Sequence, residues 1–288
     1  MPVDSNLNIR ETAAMVEKQV LSIRFRPDGL TFIRENIADN LPVSAHKTCM
    51  IEPGYGSHVE AFQELFFRNQ ELCLPYNKVR IYYEPESWVM VPSELFDEKK
   101  GHLWLETVAE EPADDIGRIT KTTTLSCPLP EEDRILVLSW EKDLIGFLKR
   151  TLIPAEFIPY FIPHLEVLKA QSRLRTGRML CVLLRERRAD FFLLLHGRIE
   201  FGNTVEYTRS VNMQELTDEL VFYVFTIWNR LNLSTDNDML CINYPAKEEC
   251  EGALIDLHAV TGELKLTLGR YIPRIEEQPF SVLAKPEG

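Results

Sequence analysis

The stretch that decides the fold covers residues 20–34 and reads VLSIRFRPDGLTFIR. Two short runs rich in β-forming residues, 20–25 and 30–34, flank the turn Pro27-Asp28-Gly29. Two such runs separated by a turn of this composition predict a β-hairpin. A similar pattern starts at residue 179, where MLCVLL precedes the polar break RERR and the run DFFLLL at 190–195. A turn at His196-Gly197 then leads into a third predicted strand over 199–207.

A helix and a further strand follow each hairpin. Ser57 and Glu60 form a capping-box pattern that starts the first helix, and Asn212 can cap the second. Because residues 221–228 are apolar on nearly every side, we expect the second helix to be covered on more than one face. Strands are predicted at 78–83 and 238–243. Residues 20 and 78 are separated by 58 positions, as are 180 and 238. The equal spacing indicates two copies of one β-β-(β)-α-β unit.

The segment between the copies contains an acidic stretch at 110–115, a Thr-rich strand candidate at 118–126, a buried-type strand at 135–139 and a helix at 141–150. An aromatic run follows at 157–162. Pro154, Pro159 and Pro163 rule out a continuous helix there, so we expect an extended segment ending at Pro163 and a helix over 164–175. The aromatic run should be mostly buried. We place the domain boundary near Thr151, with a first domain at 14–150 and a second at 152–288.

Composition narrows the class of protein. The chain has 288 residues, 45% hydrophobic and 26% charged, with a formal net charge of −12. That acidity disfavours a general nucleic-acid surface. No run approaches the ~18–20 apolar residues of a membrane helix, and the charged start lacks the apolar core of a signal peptide. The six cysteines are scattered with no C-x-x-C pair, which disfavours a disulfide framework. We therefore expect a cytoplasmic protein with no membrane span and no nucleic-acid partner.

The doubled order of strand, turn, strand, strand, helix and strand resembles the actin-like ATPases, whose halves are each ribonuclease-H-like. Residues 134–209 are most similar to the bacterial branch that contains PilM, GspL and FtsA. As a whole, the chain also resembles an uncharacterised bacterial family with an actin-like ATPase fold. The resemblance implies an α/β fold class, with duplicated ribonuclease-H-like domains in an actin-like ATPase arrangement.

The chain departs from that superfamily at the nucleotide site. There each half opens with Asp-x-Gly, whose carboxylate serves magnesium and whose glycine lets backbone N–H groups reach phosphate. Placed on residues 21–24, the pattern puts Ser22 at the Asp position and Arg24 at the Gly position. Placed on residues 182–185, it puts Leu183 and Arg185 there. Because Mg²⁺ binds poorly without its carboxylates, we expect no ATP hydrolysis, no catalytic residues, no metal site and no cofactor.

Two further positions match a conventional second hairpin of that superfamily, namely Asp190 and Gly197. The resemblance gives these residues a part in shaping the turn and no part in holding a metal. The Gly-Gly pair that normally lies against adenosine has no clear counterpart around residues 244–248.

Arginines accumulate at both hairpins, and two interpretations of them stay open. If the fold is actin-like, Arg24, Arg26, Arg185 and Arg187 face an interdomain cleft, where guanidinium groups could form an anion-binding site without metal. Alternatively, the arginines pair with the plentiful carboxylates or lie in water on exposed turns.

The sequence thus favours a non-catalytic actin-like-fold protein, a pseudo-ATPase, that acts as a cytoplasmic scaffold or adaptor for an unidentified protein partner. The alternative is a nucleotide- or anion-binding protein that uses the interdomain cleft with weak or no hydrolysis. The oligomeric state and the pathway do not follow from the sequence.

Overall fold

The computed structural model describes residues 15–38, 46–108, 122–207, 212–247 and 255–283. These form two compact units, and each unit draws on three stretches of chain. The first takes its described residues from Met1–Glu86, Glu110–Thr124 and Ser139–Tyr160. The second takes them from Ser87–Ala109, Leu125–Leu138 and Phe161–Gly288. The ranges 14–150 and 152–288 stay a prediction for the extent of the two copies.

Single helices separate runs of one to three strands along the described chain. Their order is β1 (Gln19–Arg26), β2 (Gly29–Asn36), β3 (Lys47–Met50), α1 (His58–Arg68), β4 (Lys78–Tyr83), β5 (Ser87–Pro92), α2 (Gly101–Glu106), β6 (Thr122–Leu129), β7 (Arg134–Glu141), α3 (Lys142–Thr151), β8 (Ala155–Pro159), α4 (Ile162–Arg173), β9 (Met179–Leu184), β10 (Arg188–Leu195), β11 (Arg198–Glu206), α5 (Met213–Arg230), β12 (Met239–Pro245), α6 (Leu257–Leu268) and β13 (Ile275–Phe280). Short 3₁₀ turns lie at Gln70–Cys73, Ser93–Leu95, Glu98–Lys100 and Pro130–Glu132.

Each unit is built on a five-stranded sheet of the same topology. The strand order is β3-β2-β1-β4-β8 in the first sheet and β11-β10-β9-β12-β13 in the second. In both, two antiparallel pairs come first along the chain and two parallel pairs follow. This is the ribonuclease-H-like order, so the predicted duplication is confirmed.

The parallel register corrects the predicted spacing of the second copy. Val20 pairs with Lys78 in the first sheet, whereas Leu180 pairs with Leu240 in the second. Asp238, the first residue of the predicted strand, lies one residue before β12, where its carboxylate accepts hydrogen bonds from the backbone N–H groups of Arg178 and Ser234 at 2.9 and 2.7 Å. The prediction was therefore wrong by two residues, because Asp238 belongs to the turn that leads into the strand.

The segment before the second copy follows the sequence pattern closely. α4 starts at Ile162 with Pro163 in its first turn, and the preceding extended segment ends at Pro159 instead of Pro163. Tyr160 and Phe161 are fully buried, and the rest of the aromatic run is buried or half-buried. Its predicted burial is confirmed.

A smaller sheet with the order β5-β7-β6 completes the fold. The sequence predicted β7, and the predicted strand at 118–126 matches β6 from residue 122 onward. Residues 118–121 and the acidic stretch 110–115 lie outside the described part of the chain. β5 was not predicted at all.

The second unit contains a large apolar core between its sheet and helices α5 and α6. Leu220 and Val224 of α5 pack with Leu180 of β9 and Leu264 of α6 in this core. The fully buried residues of α5 recur every three or four positions and form one stripe, so the expectation that the helix is covered on more than one face was wrong. Phe222 lies outside these buried positions, because 63% of its surface is exposed.

Candidate functional site

The candidate site begins at the two hairpin ends, whose registers define equivalent residues. Arg26 and Gly29 form the last pair of the first hairpin, and the N–H of Arg185 donates to the carbonyl of Arg188 at 2.8 Å in the second. Counted from these turns, Arg26 is the equivalent of Arg185. Arg24 is then the equivalent of Leu183. The sequence analysis placed the Asp-x-Gly pattern on residues 21–24 and on residues 182–185. By this register residues 182–185 correspond to residues 23–26, so the two placements were two residues out of register with each other.

Arg24 is buried in the first unit and is bound to a carboxylate. Only 2% of its surface is exposed, and its Nη2 lies 3.1 Å from Oε1 of Glu84, which follows β4. Ser22, two residues earlier on the same strand, is also buried. The guanidinium therefore forms a charge-assisted contact inside its own unit.

Arg26 is also buried, and it contacts the turn of its own hairpin. Its Nε lies 3.0 Å from Oδ1 of Asp28, and its Nη2 lies 3.2 Å from Sδ of Met50. The Pro27-Asp28-Gly29 turn thus supplies both the reversal of the chain and a counter-charge.

Arg185 forms a two-pronged ion pair in the core of the second unit. Its Nε lies 2.9 Å from Oδ2 of Asp190, and its Nη2 donates to Oδ1 at 3.0 Å. Nη2 also donates to the hydroxyl of Thr204 on the neighbouring strand at 3.3 Å. The contact from Nη2 is a charge-assisted hydrogen bond, which is about twice as strong as a bond between neutral groups.

Asp190 does not shape the turn of the second hairpin, which is the role that the resemblance implied. It lies within β10 with no exposed surface and accepts hydrogen bonds from Arg185 and from Nε1 of Trp88 at 2.8 Å. Gly197 alone shapes a turn as expected, with a φ of 82°. At the position of Asp190 the first hairpin has Thr31, whose hydroxyl lies 3.1 Å from that of Thr48.

Trp88 covers the ion pair, and sequence reasoning missed it. Its ring stacks on Phe192 at a centroid distance of 5.1 Å and an interplanar angle of 8°, and it also contacts Phe161. A Cβ atom on Gly202 would lie 2.8 Å from the ring, so this glycine makes room for the indole. Since Trp88 and Asp190 are 102 residues apart, no local pattern could pair them.

Arg187 differs from the other three predicted arginines because its side chain is exposed. Its backbone carbonyl accepts a hydrogen bond from the N–H of Tyr207 at 3.2 Å. Three of the four arginines predicted for an anion site are therefore buried against carboxylates within their own units. A shared cleft that contains all four stays a prediction.

A second polar cluster lies at the carboxyl end of β12. The amide nitrogen of Asn243 donates to the carbonyls of Val182 and Cys241, which leaves its Oδ1 to accept from Nε2 of His164 at 2.8 Å and from Gln278 at 2.9 Å. Burial lowers the pKa of His164 below its ordinary value. Burial thus favours the neutral imidazole, and the contact with Oδ1 of Asn243 is a hydrogen bond when the proton lies on Nε2.

Within residues 15–38, 46–108, 122–207, 212–247 and 255–283, no group of three or more His, Cys, Asp or Glu side chains could hold a metal ion. The cysteines at 49, 73, 127, 181 and 241 are free thiols, and burial raises the pKa of Cys181 well above its ordinary value. No helix in the described segments is both long and apolar enough to cross a bilayer.

Two solved structures with TM-scores of 0.50 or more indicate the fold class. The chain is similar to a Bacteroides thetaiotaomicron protein with an actin-like ATPase fold and unknown function, with 18% identity, 92% of each chain covered and a TM-score of 0.74. It is also similar to a chain of the PilM–PilN type IV pilus biogenesis complex, with 13% identity, 94% and 91% covered and a TM-score of 0.50. The cytoplasmic domain of EpsL, an inner-membrane component of the Vibrio cholerae type II secretion system, gives 12% identity, 92% and 98% covered and a TM-score of 0.42.

The chain therefore has the two-domain α/β fold of the actin-like ATPases, as its sequence predicted. It belongs to the DUF3822 family, described as a protein of unknown function, whose model matches residues 8–248. No curated protein matches the sequence.

Proposed function

We propose that this chain is a pseudo-ATPase, a non-catalytic actin-like-fold protein that acts as a cytoplasmic scaffold or adaptor through protein contacts. The observation that carries the proposal is the Arg185–Asp190 ion pair under Trp88. Arg185 lies at the position predicted for the superfamily's glycine, so a phosphate that bound at this turn would have to displace Asp190 from the guanidinium. Removing the partner of a buried charge costs about 3–5 kcal/mol, so the pair resists such an exchange.

The first hairpin supports the same proposal. The strand position expected to hold a carboxylate is Ser22, and the neighbouring Arg24 and Arg26 have carboxylate partners inside the unit. An incoming phosphate would compete with Glu84 and Asp28 for these guanidinium groups. Such competition weakens nucleotide binding, because each displaced carboxylate must be resolvated or find another partner.

Support for an adaptor role comes from PilM. That protein has the same fold and was solved in a complex with PilN. A fold that is used for assembly in one protein can serve as a platform for protein contacts in another. We extend this role to the present chain as part of the proposal, with the partner unidentified.

The alternative is a protein that binds a nucleotide or another anion through its hairpin arginines, with weak or no hydrolysis. Arg187 favours this alternative, because its guanidinium is exposed and lies two residues from Arg185. A guanidinium can bind phosphate through two parallel hydrogen bonds without a metal ion.

Thermal unfolding with and without ATP and Mg²⁺ separates the two functions. Millimolar ligand acting on a micromolar site would stabilise the protein by roughly 4 kcal/mol. For a pseudo-ATPase we expect no stabilisation by ATP that depends on Mg²⁺ and no phosphate release above the buffer blank. A shift of the melting temperature that appears only when Mg²⁺ is present would overturn the proposal.

A metal-independent shift would instead favour the anion-binding alternative, and a surface variant then tests it. Arg187→Ala should abolish that shift, whereas Arg270→Ala, which removes another exposed arginine, should leave it unchanged. Replacing Arg185 is unsuitable here, because Asp190 would be left buried without its counter-charge. For the adaptor role, affinity purification from the native host should recover the same partner with ATP and with EDTA. Recovery that requires ATP would count against a nucleotide-independent adaptor.

A further inference from the structure

One face of α5 presents a stripe of side chains away from the core of the second unit. Phe222 lies at its centre with 63% of its surface exposed, and Phe225 lies half-buried beside it. The ring of Phe225 meets that of Tyr271, after α6, edge to face at 5.3 Å, and Tyr271 is itself 62% exposed. A connected aromatic patch is therefore accessible on this face.

The residues of the stripe lie at equal numbers of positions before and after Phe222. Residues three, four and seven positions away lie on the same face of an α-helix. Before Phe222 these positions hold Glu219, Asp218 and Glu215, which are exposed or half-exposed. The acidic half of the stripe thus occupies the N-terminal turns of the helix, where negative charge also complements the helix dipole.

After Phe222 the same positions hold uncharged side chains, at Phe225, Thr226 and Asn229. A second copy of α5 lying antiparallel, with its centre at Phe222, would place Glu215 opposite Asn229 and Asp218 opposite Thr226. Glu215 and Asp218 would then meet hydrogen-bond donors, and Glu219, whose carboxylate lies 3.5 Å from the hydroxyl of Tyr223, would lie opposite Phe225. A parallel copy would instead place three acidic positions opposite three acidic positions, and like charges at this distance repel.

We propose that this face of α5 is the contact between two copies of the chain, related by a two-fold axis through Phe222. A two-fold interface requires a surface that is complementary to itself, with one residue near the axis that contacts its own copy. Phe222 meets this requirement, with a Phe225–Tyr271 pair on either side. The inference does not depend on whether the protein hydrolyses ATP.

The length of α5 sets the strength that we expect. Its 18 residues span about 27 Å, and a single pair of helices buries less than the ~800 Å² per partner of a standard stable interface. The dimer should therefore dissociate on dilution, and monomer and dimer should coexist at micromolar concentrations.

Sedimentation velocity over a concentration series tests the proposal. We expect the wild-type chain to shift from monomer to dimer between micromolar and several hundred micromolar protein. Phe222→Glu should weaken the association at least 10-fold, because it places two carboxylates at the axis. The matched control is Phe67→Glu on α1 of the first unit, where 73% of the phenylalanine is exposed. This control should leave the association unchanged.

Cysteine cross-linking fixes the orientation, in a background with Cys73, Cys127 and Cys250 replaced by serine. Phe222→Cys should cross-link to itself on mild oxidation. Chains that carry Glu215→Cys should cross-link to chains that carry Asn229→Cys far faster than either variant cross-links to itself. Equal rates for the three combinations would exclude the antiparallel arrangement.

Two other results would also overturn the proposal. One is a wild-type protein that stays monomeric at several hundred micromolar, which would leave the patch to a different protein. The other is a dimer that Phe222→Glu weakens no more than Phe67→Glu does. Circular dichroism of both variants checks that their helices are intact, so that a loss of association is not a loss of folding.

Discussion

Asp190 is a fully buried carboxylate whose charge is balanced inside the second unit by Arg185. Burying two charges costs several kcal/mol per ion, which the attraction between them offsets only when the geometry is good and the remaining hydrogen bonds are made. Here the guanidinium lies 2.9 and 3.0 Å from the two carboxylate oxygens, and both its Nη2 and the indole of Trp88 donate to Oδ1. Through the hydrogen bond from Trp88, the pair also connects β5 with β10 of the second sheet.

Removing one partner of this pair should be costly, and removing both should cost less. Asp190→Ala should lower the free energy of unfolding by about 3–5 kcal/mol, because it leaves the Arg185 charge buried without a counter-ion. The double variant Arg185→Met with Asp190→Leu should recover much of that loss. Urea unfolding of the three proteins measures both effects.

The control for this prediction is an exposed ion pair in the same unit. Lys265 and Glu277 lie 3.0 Å apart with about 40% of each side chain exposed, and an exposed pair contributes only about 0–1 kcal/mol. Glu277→Ala should therefore change stability by less than ~1 kcal/mol. An effect of Asp190→Ala as small as that of Glu277→Ala would contradict the account of the buried pair.

The sequence predicted an accumulation of arginines at the hairpins but could not predict their partners. Asp28 is two residues from Arg26, so its contact is visible in the turn motif. Glu84 lies 60 positions from Arg24, and the two meet because β1 and β4 are parallel neighbours. Burial of an arginine depends on such distant pairing, and the strand pattern alone does not contain it.

Among the elements, Gly29 shows how a turn glycine can serve close packing. Its backbone φ is not positive, unlike that of Gly54 or Gly197. A Cβ atom at Gly29 would instead lie 2.2 Å from the carbonyl oxygen of Cys49 on β3. The Pro27-Asp28-Gly29 turn was predicted from its composition, but the sequence could not show that β3 approaches this glycine so closely.

Two Gly→Ala substitutions should therefore have opposite effects. Gly29→Ala should destabilise the protein by about 1–3 kcal/mol, because the backbone of β3 must move to relieve the overpacking. Gly262→Ala, within α6, meets open space and should stabilise by up to ~1 kcal/mol through helix propensity. Thermal and urea unfolding of both variants check the signs. A neutral Gly29→Ala would mean that β3 adjusts freely.

Local hairpins and helices were predicted well because their turns and caps lie within a few residues of each other. The Ser57 hydroxyl accepts from the N–H of Glu60, as the capping box requires, and the Glu60 carboxylate accepts from the N–H of Gly56. β5 was missed because its partner is β7, about fifty residues later, and its packing depends on Trp88. The predicted spacing between the strands of the second copy was wrong for a similar reason. Asp238 belongs to the turn before β12, although the sequence pattern predicted that the strand begins at this residue.

At the scale of the whole molecule, the two five-stranded sheets share a topology. The chain segments that form the two units alternate along the sequence. β8 lies beyond residue 150 and completes the first sheet by pairing with β4, as β13 completes the second by pairing with β12. The sequence boundary near Thr151 was drawn at the end of a helical pattern. A strand five residues long contains too little periodicity to reveal which sheet it joins.

Hydrogen exchange of the backbone amides can test this division directly. Segments that unfold together share one opening free energy, so a destabilising substitution accelerates exchange throughout its own cooperative unit. Gly29→Ala should therefore accelerate exchange in β1, β2, β4 and β8 while leaving β9, β12 and β13 near their original rates. Asp190→Ala should produce the reverse pattern. The decisive segment is β8: if its amides follow Asp190→Ala, then β8 unfolds with the second unit, and its pairing with β4 does not define the cooperative boundary.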